Sequence, residues 1–217
     1  MDGFPYWRLA GVYFFYFAYL GAFAPYFSLY LDSLGVAAAG IGIIMALPQL
    51  VRIVAPHLWG WLADRGGRRL RVARVCSVIG TLVYCALFAA RGFEAIFTVV
   101  LVMSFFLSAA LPQVEVTTLA LLGGAGGRYG RVRVWGSIGF IVAVLAIGYV
   151  LDAVAIGALL AIMLAILVSV TALLAVVPDP VAAAATREHA PLARVVRERS
   201  EEHTSELQSR FGISYAV

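Results

Sequence analysis

The chain has 217 residues, of which 63% are hydrophobic and only 13% are charged, whereas water-soluble domains are roughly half apolar and a quarter charged. A soluble fold could not bury so much apolar surface, so the composition indicates a membrane protein. The formal net charge of +4 does not indicate nucleic-acid binding, because the arginines stand in short clusters between apolar runs, where membrane topology accounts for them.

Six apolar runs follow one another along the chain, each about long enough to cross a hydrocarbon core of roughly 30 Å at about 1.5 Å per residue. They cover residues 6–31, 36–62, 72–90, 94–122, 134–151 and 153–177. Backbone amides in lipid must be satisfied within the protein, and continuous runs of this length exclude the short alternating strands of a barrel. The sequence therefore predicts an all-α membrane protein with one bundle of six transmembrane helices over residues 1–178.

Polar residues inside the apolar runs are the first candidates for function. Tyr30, near the end of the first run, could stack on an aromatic substrate. Arg52 lies within the second run, and Glu115 lies within the fourth, two residues after the pair Pro112 and Gln113. A charge at such depth costs at least about 2.5–3.5 kcal/mol, so it normally faces a partner or a wet cavity. The helix-breaking proline beside a polar amide predicts that Gln113 lines a cavity.

Two interpretations of the buried charges remain open. In the first, Arg52 and Glu115 form a structural ion pair between packed helices. In the second, Glu115 carries a proton or contacts the substrate. Arg52 then changes how readily Glu115 binds a proton, or it binds a carboxylate group of the substrate.

A basic turn joins the second and third runs. It reads Gly60-Trp61-Leu62-Ala63-Asp64-Arg65-Gly66-Gly67-Arg68-Arg69. This turn resembles the G-x-L-A-D-R-x-G-R-R loop between helices 2 and 3 of the major facilitator superfamily. The matching residues are Gly60, Leu62, Ala63, Asp64, Arg65, Gly67, Arg68 and Arg69. The resemblance implies the amino-terminal half of a twelve-helix transporter, with Asp64 helping to hold an inner gate; the alternative is a basic turn that only sets topology.

A second resemblance lies at the start of the fifth run. The segment from Tyr129 to Phe140 is similar to the Y-G-x-x-R-x-W-G-S-x-x-F stretch of the phenylpropionate permease group and its nucleoside-symporter relatives. Besides Phe140, the matching residues are Tyr129, Gly130, Arg133, Trp135, Gly136 and Ser137. Close helix packing in lipid would also select Gly136 and Ser137 without any substrate role.

Arginine placement predicts the topology, since the sequence contains no lysine. When the six runs are threaded alternately, the arginines before the first run and after the second, fourth and sixth runs fall on one side. Arg91 alone marks the other side. By the positive-inside rule the amino terminus is cytoplasmic. Together with the resemblance and the arginine and alanine bias, this predicts a multi-pass protein of the bacterial inner membrane.

The carboxy-terminal segment changes character twice. Residues 179–198 resemble the start of the cytoplasmic loop between transporter halves. From Arg199 the chain reads Arg-Ser-Glu-Glu-His-Thr-Ser-Glu-Leu-Gln-Ser, which a common sequencing adapter encodes when translated. We therefore interpret residues 199–217 as an artefactual tail and expect a missing carboxy-terminal six-helix bundle.

These features predict a secondary active transporter that moves a small organic solute by proton symport with alternating access, and a fragment that is inactive alone. The expected partners are the solute, protons, the lipid bilayer and the missing bundle; no cofactor, metal or nucleic acid is expected. A drug or sugar exporter of the same superfamily is the alternative within transport. A non-transporting scaffold, or an intramembrane enzyme using Glu115 and His57, is disfavoured, the latter because no run has a nucleophile–base or metal-ligand spacing.

Overall fold

The protein was examined as a computed structural model that describes residues 4–122 and 126–179. The predictions for residues 180–198 and for the tail 199–217 lie outside these described residues. The helices are α1 (Tyr6–Ser33), α2 (Ala38–Gly66), α3 (Arg69–Cys85), α4 (Gly92–Leu107), α5 (Ala110–Leu121), α6 (Gly126–Ala153) and α7 (Ala158–Val176), with a 3₁₀ turn (Ala86–Phe88) after α3. Because α4 and α5 form one span, six spans are long and apolar enough to cross a membrane. The predicted all-α fold with six transmembrane helices is confirmed.

The fourth span is interrupted close to its proline. Ser108 and Ala109 separate α4 from α5 while keeping right-handed helical backbone angles. Pro112 stands four residues after Ser108 and has no N–H to donate to the Ser108 carbonyl, so the helical hydrogen-bond ladder is broken at this turn. The interruption therefore lies one turn before the proline itself, and Ser108 at this position lines a cavity.

The fifth span begins earlier than its apolar run suggests. The run starts at residue 134, whereas α6 starts at Gly126, so that Arg128, Arg131 and Arg133 lie on the helix. Counting apolar residues marks only the part of a helix that lies in hydrocarbon, and it misses charged turns that extend beyond it. The expected loop before residue 134 is thus wrong, and this correction brings Arg133 into the bundle.

Helices α1 and α6 make the closest contact in the bundle. A Cβ atom built on Gly139 would meet the backbone carbonyl of Phe14, and one built on Gly21 would lie 2.7 Å from the Phe140 carbonyl oxygen. Glycines allow this approach because they carry no side chain. In lipid the hydrophobic effect does not drive helices together, and dispersion contacts between closely packed backbones stabilise the pair instead. Around this pair, α7 also packs on α1, α2 packs on α4, and α3 lies against α4, α5 and α7.

One end of the bundle gathers the arginine clusters. The Tyr6 hydroxyl donates to the Arg131 carbonyl oxygen over 3.2 Å, and Arg74 Nε donates to the Leu174 carbonyl oxygen over 2.9 Å. The first contact joins the start of α1 to the start of α6, and the second joins the start of α3 to the end of α7. We call this the arginine-rich end, and it agrees with the alternate threading of the six runs.

Two helices carry large uncovered apolar faces. On α2, Ile53 is 67% exposed and Leu50 is 59% exposed; on α6, Leu145 is 69% exposed and Tyr149 is 81% exposed. In a membrane protein such faces contact either lipid or other protein. The side chains buried between helices come instead mainly from α1, α3, α4, α5 and α7.

Candidate functional site

The charged pair inside the bundle joins α5 to α6. Nε of Arg133 lies 3.6 Å from Oε1 of Glu115, and the two side chains are 32% and 34% exposed. The predicted pair between Glu115 and Arg52 is wrong in this structure. Arg52 is carried by α2, which packs mainly on α4, whereas the early start of α6 brings Arg133 up to α5.

Two rings of α1 form a platform for Arg133. Its guanidinium carbon lies 4.0 Å from the ring centre of Phe17 and 5.7 Å from that of Tyr13. A cation over an aromatic face is stabilised by about 0.5–2 kcal/mol, more when water is excluded. Gly136 makes room for this arrangement, because its Cβ would lie 2.8 Å from the Phe17 ring and 2.9 Å from Arg133 Nη1. We call Glu115, Arg133, Tyr13 and Phe17 the Arg133 cluster.

The other signature residues lie around this cluster or outside it. Trp135 Nε1 donates to the Tyr6 hydroxyl over 3.0 Å and so ties α6 to the start of α1. Tyr129 packs against the apolar core. Ser137 is exposed, and a side chain on Gly130 would meet open space. The signature therefore contains residues that shape the arginine site and residues that only fasten the helices.

The basic turn is shorter than its motif, because α2 continues through Gly66. Gly67 then adopts the left-handed conformation with φ of 61°, which glycine reaches without steric cost, and its N–H donates to the Asp64 carbonyl oxygen over 3.3 Å. The Asp64 carboxylate forms an ion pair with Arg69. Arg69 Nη1 also lies 3.5 Å from Oε1 of Gln113, so the turn reaches α5.

Gln113 is thus a buried residue, 2% exposed, that faces the basic turn. Among the remaining motif residues, Arg65 stacks on Trp61 at 5.1 Å, and Ala63 is buried. Gly60, Leu62 and Arg68 make no hydrogen bond or ion pair through their side chains in the described part of the chain.

Tyr30 lies far along α1 from the Arg133 cluster that contains Glu115. Its ring is buried beside Phe27, with ring centres 5.8 Å apart. Along α1 it stands 17 residues after Tyr13 of the Arg133 cluster, which corresponds to about 25 Å of helix. The structure therefore does not bring Tyr30 together with Glu115.

Sequence reasoning missed the aromatic platform. Tyr13 and Phe17 are four residues apart and so share one face of α1, but aromatic residues occur throughout that helix. Nothing in their local spacing distinguishes them from packing residues. The contact with Arg133 spans more than 110 residues of sequence, and only the pairing of α1 with α6 reveals it.

Six apolar spans, a charged pair inside the bundle and a basic turn after the second span together define a membrane-transport bundle. The MFS_1 like family matches residues 6–211 of the chain. The chain belongs to this family of major facilitator superfamily transporters. The match extends into residues 199–211, for which the artefactual tail stays a prediction.

Comparisons with known proteins agree on this class. The chain is 36% identical over 145 residues to the maltose permease of Geobacillus stearothermophilus, covering 66% of this chain and 36% of that protein. It is 24% identical over 136 residues to the "Probable 3-phenylpropionic acid transporter" of Escherichia coli strain K12, covering 63% of this chain and 36% of that protein. A crystal structure of a mutant nucleoside transporter, NupG, superposes with a TM-score of 0.75 at 24% identity, covering 85% of this chain and 47% of the other.

The aligned part of the chain spans about a third of the length of these curated relatives. The NupG comparison supports the fold, and about half of that chain takes part in it.

Proposed function

We propose that the chain supplies the amino-terminal bundle of a proton-coupled secondary transporter for a small organic solute. The observation that carries the proposal is the Arg133 cluster, an ion pair within membrane-spanning helices that rests on two aromatic rings. Ionisable residues within membrane spans are costly, and they commonly mark substrate or proton pathways. Membership of a transporter family supports this interpretation.

The protonated and ionised states of Glu115 give the ion pair a means of coupling proton binding to solute binding. While Glu115 is ionised, its negative charge compensates Arg133. When Glu115 takes up a proton, that compensation is lost, and Arg133 is left as a cation held against Phe17. The guanidinium group can then donate hydrogen bonds to an oxygen atom of the solute. Solute binding and proton binding would therefore favour each other.

Alternating access requires a second bundle, and the uncovered apolar faces of α2 and α6 are surfaces on which such a bundle could pack. The partial coverage of the relatives is consistent with it. In transporters of this architecture the substrate site lies between two bundles near the membrane midplane. We propose that the bundle stands in the bacterial inner membrane with its arginine-rich end, including the amino terminus, in the cytoplasm.

The basic turn is the proposed gate element. Asp64, Arg69 and Gln113 form a continuous contact from the end of α2 to α5, and α5 also carries Glu115. A movement of α2 against its neighbours would thus be transmitted to the helix that holds the coupling carboxylate. Both sites would respond to the same rigid-body motion.

The names of the relatives indicate the class of substrate. They concern a sugar, an aromatic acid and nucleosides, which are all small organic solutes. The maltose permease favours a sugar as an alternative solute. A drug or sugar exporter of the same superfamily remains the second candidate function.

The test replaces Glu115 with glutamine in the complete protein, reconstituted in proteoliposomes under an inward proton gradient. Glu115→Gln keeps the shape and hydrogen bonding of the side chain but cannot titrate. We expect gradient-driven accumulation to be lost while counterflow of labelled solute continues. The matched control is Glu94→Gln, at the exposed start of α4, which should accumulate solute normally.

A purely structural pair predicts a different pattern. Glu115→Gln alone would then leave Arg133 without its partner and reduce expression, and Arg133→Gln added to it would restore expression, because removing both charges ends the imbalance. Normal proton-driven accumulation by Glu115→Gln would rule out the coupling role. The chain without a second bundle should insert in the membrane but show no saturable uptake.

A further inference from the structure

A second polar site is lined by residues of α1, α2, α3, α4, α5 and α7, and its residue Arg52 on α2 is exposed. It is a cavity of about 50 Å³, which has room for a few water molecules or one small polar group. Its polar lining residues are Tyr16, Tyr19, Arg52, Ser77, Ser104 and Ser108. The Arg133 cluster does not contribute to this lining.

Arg52 is the only charged residue that lines the cavity. The ion pairs formed by the described residues involve other arginines, and no carboxylate of these residues lies within 4.0 Å of Arg52. Glu115, the acidic residue expected to neutralise it, is held by Arg133. Tyr16 lines the same cavity as Arg52. Among the described residues, no carboxylate is paired with the positive charge that borders this cavity.

Two hydroxyl groups add to this donor set. Tyr19 and Ser104 are 7% and 8% exposed, yet their hydroxyls form no hydrogen bond with the part of the chain that the structure describes. They are not sealed off either, since within that part the only inaccessible side-chain oxygen without a partner is Oγ1 of Thr117. The Tyr19 and Ser104 hydroxyls are thus open to the cavity that they line.

We propose that this cavity binds the carboxylate group of a small organic anion. The lining offers one guanidinium group and hydroxyl donors but no acidic side chain, so it favours an anion over a cation. Arginine presents a planar fork of N–H groups that matches the two oxygens of a carboxylate. Bound carboxylate would also offset the cost of placing Arg52 in a membrane span.

The remaining lining selects for an organic anion. Leu20, Phe23, Leu107, Leu167 and Val170 surround the polar groups with apolar surface. The cavity holds little more than a head group, and because it is not fully enclosed, an apolar or aromatic remainder of the ligand can extend out of it. Strongly hydrated inorganic anions would lose water against this wall without compensation.

The inference goes beyond the proposed function, because it assigns a ligand class to a cavity and needs neither a proton gradient nor transport. The test is isothermal titration of the purified chain in lipid nanodiscs with benzoate. The neutral isostere benzamide, which lacks the charge, is the matched ligand control. The titration does not depend on proton coupling at Glu115, so it tests this inference even if the proposed coupling role of Glu115 is wrong.

Benzoate should bind and benzamide should bind at least about tenfold more weakly, since a hydrogen bond to a charged group contributes about 1.5–3 kcal/mol. Arg52→Gln should weaken benzoate binding by at least about tenfold, and Arg52→Lys should weaken it less. Tyr19→Phe and Ser104→Ala should each weaken it by about threefold or more. Arg71→Gln, an exposed arginine on α3, is the matched protein control and should bind like the unchanged chain.

Circular dichroism of each variant establishes that the helices are retained. If Arg52→Gln does not fold, the Arg52→Lys and Tyr19→Phe titrations decide the matter. Equal binding of benzoate and benzamide, or benzoate binding that is unchanged by these substitutions, would overturn the proposal. Displacement of benzoate by an equal concentration of inorganic phosphate would also overturn it, because the site would then serve phosphate groups, including those of lipids. Absence of any benzoate binding to the folded chain would do the same.

Discussion

The contact between α1 and α6 makes a quantitative prediction for Gly139→Ala. The added Cβ would stand 2.1 Å from the carbonyl oxygen of Phe14, 2.7 Å from its carbonyl carbon and 2.9 Å from its Cα. Close C···O contacts in packed helices are about 3.3–3.6 Å. The helices must therefore separate locally by roughly 1 Å, and the obstacle is backbone, which cannot rotate away as a side chain can.

The matched control is Gly130→Ala on the same helix, whose Cβ would meet no atom within 4 Å. Both substitutions gain up to about 1 kcal/mol of helix propensity, so the difference between them reports the overpacking. Overpacking typically costs about 1–3 kcal/mol, and a backbone obstacle places the expected difference near the upper value. The measurement is equilibrium unfolding in mixed micelles with increasing dodecyl sulfate, followed by circular dichroism.

Equal stability of the two variants would refute the reasoning. If Gly139→Ala unfolds within about 0.5 kcal/mol of Gly130→Ala, which is the usual range for substitutions outside sensitive sites, then α1 and α6 are not in backbone contact. A normal helix content with a lower unfolding midpoint is the expected result for Gly139→Ala. A loss of helix before unfolding would instead indicate that the bundle fails to assemble.

Two further predictions concern topology and the interrupted span. In a background with Cys76→Ala and Cys85→Ser, a cysteine at Ala89 should react with an impermeant maleimide from outside the cell, and one at Gly66 should react only after permeabilisation; the reverse pattern would contradict the proposed orientation. Ala89 is chosen over Gly92 because Gly92 has a positive φ of 78°, where another residue is strained. Pro112→Ala restores the missing N–H donor and should stabilise the isolated chain by up to about 3 kcal/mol, and it should slow transport if the bend takes part in the motion; unchanged stability would show that the bend has another cause.

The helices were predictable because bilayer thickness and backbone satisfaction leave few alternatives for apolar runs of this length. The ends of the helices were less predictable. The start of α6 at Gly126 carries three arginines that no hydropathy criterion counts as membrane-spanning, although they continue the same helix. Similarly, the motif around Asp64 reads as a turn, but most of it forms the last turns of α2.

The partners of the charged residues could not be predicted from the sequence. Depth in an apolar run identifies Glu115 and Arg52 as residues that need compensation, but it does not say which helices are neighbours. Arg133 was identified only through its signature, as one of seven matching positions. Its pairing with Glu115 follows from the contact between α5 and α6. Its stacking on Phe17 is possible because Gly136 has no side chain to occupy the space of that ring.

The two arginines consequently have different environments, although both stand in membrane spans. Arg133 has a carboxylate partner and an aromatic face, so its charge is compensated until Glu115 is protonated. Arg52 lines a cavity with hydroxyl groups and forms no ion pair with a carboxylate of the described residues, so an anion that enters the cavity would compensate its charge. If both proposals hold, the bundle binds a proton at one position and a solute carboxylate at another, and Tyr16 lies near both Arg52 and Glu115. Symport of a weak organic acid would then move no net charge for each anion carried with one proton, and its rate would depend little on membrane potential.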